Sequence, residues 1–88
     1  MPYIVQERRD VLDGHIETLS KELEKLGWVE GDVNYTFYTI LLAWFKHTSR
    51  YATICKIIGT LECVSKEFYS RIAREYEDGA IKKNGDIT

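Results

Sequence analysis

The fold is decided by one stretch of the chain, YATICKIIGTLECVSKEFYSRI, residues 51 to 72. Its large apolar residues recur every three or four positions, which is the spacing of one face of an α-helix. They are Ile54, Ile57, Ile58, Leu61, Val64, Phe68 and Ile72. Thr48 or Ser49 can cap the start of this helix, and residues 77–79 end it. The sequence therefore predicts a third helix over residues 50–77.

Two further helices precede this stretch. A stripe at four-three-four-three spacing predicts a helix over residues 11–26, which Asp10 or Asp13 caps and Gly27 ends. The stripe consists of Leu12, Ile16, Leu19, Leu23 and Leu26. Asp32 is a good N-cap for a second helix over residues 32–47. That second helix is apolar on nearly every side, which indicates burial against more than one neighbour.

The predicted fold is all-α, a single domain over residues 1–88 with three main helices, whose two termini can pair as short strands. A chain of 88 residues buries only about 60–65% of its unfolded surface, so its core is marginal without further support. Because no metal or disulfide is evident, we expect a homo-oligomer. The predicted core residues are Leu23, Ile40, Ile57, Leu61 and Phe68.

The charge and the cysteines indicate a cytoplasmic protein. A formal net charge of −2 gives no general attraction to nucleic acid or to an anionic membrane. If Cys55 and Cys63 share one helix, their Cα atoms lie about 12 Å apart, whereas a disulfide requires less than about 7 Å. We therefore expect two free, small, buried thiols, as in a reducing compartment.

No pattern of catalytic or metal-binding residues is present. His15 and His47 are the only histidines, and Cys55 and Cys63 lie about 80° apart around one helix and do not converge on one face, so a four-ligand zinc site is not predicted. No nucleotide-binding motif occurs either. The sequence predicts no cofactor, no metal and no enzymatic activity.

The segment between the second and third helices is the best candidate for a ligand site. Free N–H groups at a helix start, together with Thr48, Ser49 and Arg50, favour a phosphate or a carboxylate. Trp44 and Tyr51 could stack on a base. The same segment is also compatible with a simple capping turn, or with a helix-turn-helix that enters DNA. Few basic residues lie near the helix start, so phosphate contacts to DNA are poorly supported and nucleic-acid binding is not favoured.

Two positions inside the third helix call for a packing explanation. Glu62 lies among Ile58, Leu61 and Tyr69, so we expect a buried carboxylate with a structural hydrogen bond, in preference to an acid–base catalyst. Gly59 destabilises a helix by about 1 kcal/mol relative to Ala. We therefore expect Gly59 to pack tightly against another helix.

Several segments together resemble a family of short uncharacterised proteins encoded by tailed phages, prophages and bacteria. The segments are Pro2-Tyr-Ile4, Gly31-Asp-Val-Asn-Tyr35, Tyr51-Ala-Thr-Ile54, Ile58-Gly-Thr-Leu-Glu-Cys63, Glu67-Phe-Tyr69 with Arg71, Tyr76-Glu-Asp78 and Asn84-Gly-Asp86. The resemblance implies a stand-alone domain of phage or prophage origin with no known catalytic residues. Small phage proteins of this type often act by binding. The resemblance therefore implies a binding function, although no particular residue carries that implication.

The functional prediction follows from the resemblance and the missing catalytic motifs. We expect a non-enzymatic binding protein that modulates a host factor, with counter-defence as one form of that role. The first alternative is a protein that sequesters a small anionic or nucleotide-like ligand. The second alternative is a helix-turn-helix-like regulator that binds nucleic acid. The expected partners are a second copy of the chain and either a host protein or a small anion.

Overall fold

The computed structural model describes residues 4–85 and residue 87, and it confirms the all-α prediction. The helices are α1 (Gln6–Lys25), α2 (Glu30–His47), α3 (Tyr51–Phe68) and α4 (Arg74–Asn84), with a π-helical turn (Tyr69–Ala73) between α3 and α4. No strand occurs among these residues. The predicted pairing of the termini falls largely on residues 1–3, 86 and 88, which lie outside the described part of the chain.

The chain forms two compact units, one up to Arg50 and one from Tyr51 onward. In the first unit, α1 begins five residues before the predicted start, so neither Asp10 nor Asp13 caps it. Gln6 donates a hydrogen bond from Nε2 to Asp10 Oδ1 at 2.8 Å, and Glu7 lies in the first turn, where a carboxylate is favourable. These polar residues extend the helix beyond its apolar stripe, which explains why the stripe alone placed the start too late.

The end of α1 is a Schellman motif, which confirms the cap predicted at Gly27. The Trp28 N–H donates to the Leu23 carbonyl, and the Gly27 N–H donates to the Glu24 carbonyl, both at 2.9 Å. Gly27 adopts a left-handed φ of 87°, which glycine tolerates without strain. Trp28 also has a left-handed φ of 55°, a conformation that is uncommon for a large side chain.

Helix α2 begins at Glu30 with Val29 at the N-cap position, two residues earlier than predicted from Asp32. Glu30 and Asp32 both lie in its first turn, where they complement the helix dipole. Asp32 therefore stabilises the helix start from within the first turn, although it was predicted as the cap. The helix ends at His47, as predicted, because Thr48 adopts an extended conformation.

In the second unit, α3, the π-turn and α4 follow one another without a break from residue 51 to residue 84. The Arg74 N–H donates to the Tyr69 carbonyl, five residues earlier, which is the hydrogen bond of a π-turn. The third helical segment is therefore longer than the predicted 50–77. The residues Glu77 to Gly79 do not end it, and the helix continues to Asn84, with Gly85 in a left-handed conformation at its end.

The described chain has almost no apolar core. Leu23 and Thr53 are its only buried residues among those described, and Leu23 alone of the five predicted core residues is buried. Ile57 is half-buried, whereas Ile40, Leu61 and Phe68 are exposed. Helices α1 and α2 make no extensive side-by-side packing in their unit. The periodicity correctly identified the apolar faces. It could not reveal that no other helix of the same unit covers them.

Gly59 likewise differs from the expectation. A methyl group placed at this position would meet nothing within 4 Å. The predicted tight packing of another helix against Gly59 therefore does not occur within the unit that begins at Tyr51.

Candidate functional site

The predicted anion site is only partly free to bind a ligand. The Ser49 hydroxyl donates to the Phe45 carbonyl at 3.0 Å, and the Arg50 N–H donates to the Thr48 carbonyl at 3.0 Å. Ser49 therefore satisfies the end of α2. Trp44 contributes its carbonyl to the same end, where it accepts from the Thr48 N–H at 3.4 Å.

The side chains of this segment differ in exposure. Thr48 is half-buried, whereas Ser49 and Arg50 are exposed. Tyr51 opens α3 in the other unit and is exposed there. Binding of a small anion by Trp44, Thr48, Ser49, Arg50 and Tyr51 stays a prediction.

Two other expectations about polar side chains are wrong. Glu62 is exposed on α3, because no second helix of its unit covers the apolar face beside it. Cys55 and Cys63 are free thiols, as predicted, but both are exposed and not buried. Within the described residues, no three His, Cys, Asp or Glu side chains converge on a point where a metal ion could bind.

The feature that sequence reasoning missed is an exposed apolar face on α2. We call Phe37, Ile40 and Trp44 the anchor face. They are spaced at i, i+3 and i+7, so they lie within about 60° of one another around the helix. Phe37 is 52% exposed, Ile40 54% and Trp44 37%. The sequence predicts burial for the apolar sides of this helix, because the spacing of apolar residues is the same in a core helix and in a docking helix.

Further aromatic side chains of the first unit are also exposed. Tyr35 and Tyr38 lie on the other side of α2, and Trp28, in the turn before α2, is 53% exposed. Its left-handed backbone is the single positive φ among the described residues other than glycine. Backbone strain of this kind persists only where the surroundings enforce it and is frequent at functional positions. The left-handed pair Gly27-Trp28 gives no signal in the sequence beyond the glycine.

One titratable group of the second unit has a clear electrostatic perturbation. The Tyr69 hydroxyl donates to Glu77 Oε1 at 3.0 Å. This hydrogen bond, and the negative charge of Glu77, raise the pKa of the Tyr69 phenol above its ordinary value. Arg71 forms an ion pair with Glu67 on the same helix. Both interactions lie at the surface of one helical segment, where they stabilise the helix locally.

Among the helices between residues 4 and 85, none is both long enough and apolar enough to cross a bilayer.

The fold and the anchor face define a class: a small all-α protein whose described helices carry large exposed apolar side chains. The chain belongs to the family described as Domain of unknown function (DUF6899), whose model matches residues 1–87. No curated protein and no solved structure matches the chain.

Proposed function

We propose that this protein is a non-enzymatic binding protein that modulates a host factor by docking the anchor face of α2 into an apolar groove on that factor. The exposed triad Phe37, Ile40 and Trp44 is the observation that carries the proposal. The resemblance of the sequence to short phage and prophage proteins supports a host-cell setting in the cytoplasm. Counter-defence is the form of modulation that this setting suggests.

The spacing of the anchor face suits one known mode of recognition. A helix that binds in an apolar groove does so through side chains at i, i+3 or i+4, and i+7. Aromatic residues, and Trp above all, supply much of the free energy at such interfaces because they bury a large area with few rotatable bonds. Phe37 and Trp44 would fill two subpockets of the groove, and Ile40 would lie between them.

Docking of this kind modulates a partner without chemistry. A helix that fills a groove excludes the segment that normally binds there, so the partner loses one of its own interactions. The effect depends only on affinity and concentration, which is consistent with a chain that has no recognisable catalytic residues. The partner should therefore carry a groove that binds an amphipathic helix in its ordinary function.

The test compares three variants of the full-length protein in a capture experiment with bacterial lysate. Trp44→Ala and Phe37→Ala should each reduce recovery of a specific bound protein by about tenfold or more, the scale of an interface hot spot. The matched control is Tyr35→Ala, which removes an exposed aromatic ring from the opposite side of the same helix. It should leave recovery unchanged.

The captured protein is then purified and titrated with each variant. If the captured protein binds the wild-type protein and Trp44→Ala with equal affinity, the anchor face is not the binding surface. A loss with Tyr35→Ala as large as the loss with Trp44→Ala would point to the other side of α2. Circular dichroism of each free variant checks that the helix content is unchanged.

A further inference from the structure

We infer that the continuous helix from residue 51 to residue 84 pairs lengthwise with the same helix of a second copy of this chain. The contact surface is an apolar stripe that we call the seam. Its main residues are Ile54, Leu61, Val64, Phe68, Ile72 and Tyr76, all exposed. The seam lies in the other unit from the anchor face, and the inference does not depend on the proposed function.

The π-turn keeps the seam straight. From Phe68 the apolar or small residues follow at Ile72, Tyr76 and Ala80, which are three steps of four residues. In an uninterrupted α-helix each such step rotates the face by about 40°, so Ala80 would lie about 120° away from Phe68. A π-turn inserts one extra residue and takes back about 100° of that rotation. The four residues therefore remain on one line.

The hydrogen bond between Tyr69 and Glu77 is a second sign that the π-turn brings residues on either side of it onto one face. Residues eight apart in an α-helix lie about 80° apart around the axis, so their side chains diverge. Across the π-turn they lie on nearly the same face, and the Tyr69 hydroxyl reaches Glu77 Oε1 at 3.0 Å.

A π-turn that realigns an apolar stripe indicates that the stripe is a contact surface. π-turns are rare and occur frequently at functional sites. A helix face that remained in water would gain nothing from bringing Ile72 and Tyr76 into line with Phe68. The alignment becomes favourable when another surface covers the whole length of the seam.

The size and charge of the seam fit a second copy. A helix from residue 51 to residue 84 is about 50 Å long. A third of its circumference presents about 700 Å² of accessible surface, close to the roughly 800 Å² per partner of a standard interface. Aliphatic residues at three-four spacing are also self-complementary, because each fits between four residues of an identical helix.

Electrostatics do not oppose this pairing. Basic and acidic residues nearly balance along the helix, so two copies placed side by side carry little net repulsion. The basic residues are Lys56, Lys66, Arg71, Arg74, Lys82 and Lys83, and the acidic residues are Glu62, Glu67, Glu75, Glu77 and Asp78.

The experiment measures the mass of the full-length protein by light scattering as a function of concentration. We expect twice the chain mass of 10.3 kDa at micromolar concentration. Leu61→Asp places a charge in the middle of the seam and should weaken association by at least about a hundredfold. The matched control is Cys63→Asp, which adds the same charge about 160° around the helix from Leu61. Cys63→Asp should keep the mass of the wild-type protein.

Each other outcome overturns the inference. A wild-type mass of 10.3 kDa across the whole range means that no second copy binds the seam. An unchanged mass for Leu61→Asp, together with a lower mass for Ile40→Asp, means that the copies meet through α2. Equal weakening by Leu61→Asp and Cys63→Asp means that the charge acts on the helix as a whole. If the proposed function fails, these mass measurements still test the seam, because they use the protein without any host factor.

Discussion

The two exposed apolar surfaces described above differ in composition, and we propose different kinds of partner for them on that ground. The anchor face of α2 is short and two of its three residues are aromatic, whereas the seam runs the length of a continuous helix and four of its six main residues are aliphatic. A few aromatic anchors are typical of interfaces that form between separately folded partners. A long aliphatic surface resembles a domain core cut in half, which is typical of permanent homodimers. Exposure alone would not distinguish them.

The largest expected effect is a difference in stability between truncations on the two surfaces. Leu61→Ala should lower the free energy of unfolding of the associated protein by about 2–5 kcal/mol, because it leaves a cavity in the paired seam. Phe37→Ala should change it by less than about 1 kcal/mol, because the free protein buries little around this side chain. Denaturant unfolding at several protein concentrations measures both. Equal losses for the two variants would remove the distinction between the surfaces.

The second test changes the number of residues in the π-turn. Deleting Ser70 should convert the turn into ordinary α-helix and keep the seam straight, so the dissociation constant should remain within about threefold of the wild-type value. Inserting one alanine after Ser70 should rotate Ile72 and Tyr76 out of line and weaken association by about tenfold or more. Both variants change the chain by one residue. A stronger effect of the deletion would show that the π-turn has a role other than alignment.

A third, smaller effect concerns the back of the long helix. Gly59→Ala should stabilise the protein by about 1 kcal/mol, because alanine favours the helix and a methyl group at this position meets open space. Thermal unfolding followed by circular dichroism provides the measurement. A destabilisation would show that a second surface approaches Gly59, and the seam would then not be the sole contact face of this helix.

The smallest effect is electrostatic and confined to the π-turn. The hydrogen bond to Glu77 raises the pKa of Tyr69, so its small contribution to stability is present below the ordinary phenol pKa of about 10 and is lost as the pH rises through the raised value. Ultraviolet titration should place the Tyr69 phenol lower in Glu77→Gln than in the wild-type protein. Tyr69→Phe, which removes this phenol, identifies the signal by difference. An unchanged titration in Glu77→Gln would mean that the hydrogen bond does not form in solution.

The sequence was sufficient for the helices and their apolar faces, because periodicity reports directly on which residues share a face. It placed the end of α2 at His47 and the cap of α1 at Gly27 correctly. It could not reveal the π-turn, since steps of four residues from Phe68 to Ala80 are also compatible with a gradual rotation in an α-helix. It also placed the starts of α1 and α2 too late, because polar residues extend both helices beyond their apolar stripes.

The candidate site was harder to predict for a physical reason. An apolar stripe indicates that a face prefers to be covered, but it contains no information about whether the cover belongs to the same chain. Ile40 and Leu61 are therefore core residues by prediction, whereas both are exposed. The sequence proposes Trp44 as a stacking partner for a base, which stays a prediction, and its shared exposed face with Phe37 became visible only with the exposure of both.

The placement of the tryptophans has a spectroscopic consequence. The chain has two, Trp28 and Trp44, and both belong to the unit that ends at Arg50. Selectively excited indole emission therefore reports on that unit alone, while the helix from residue 51 to residue 84 contributes only tyrosine. Dimerisation through the seam should leave the indole spectrum unchanged. Docking of α2 should shift the emission of Trp44 to shorter wavelength as water leaves the ring. A single fluorescence measurement can therefore distinguish docking of α2 from dimerisation through the seam.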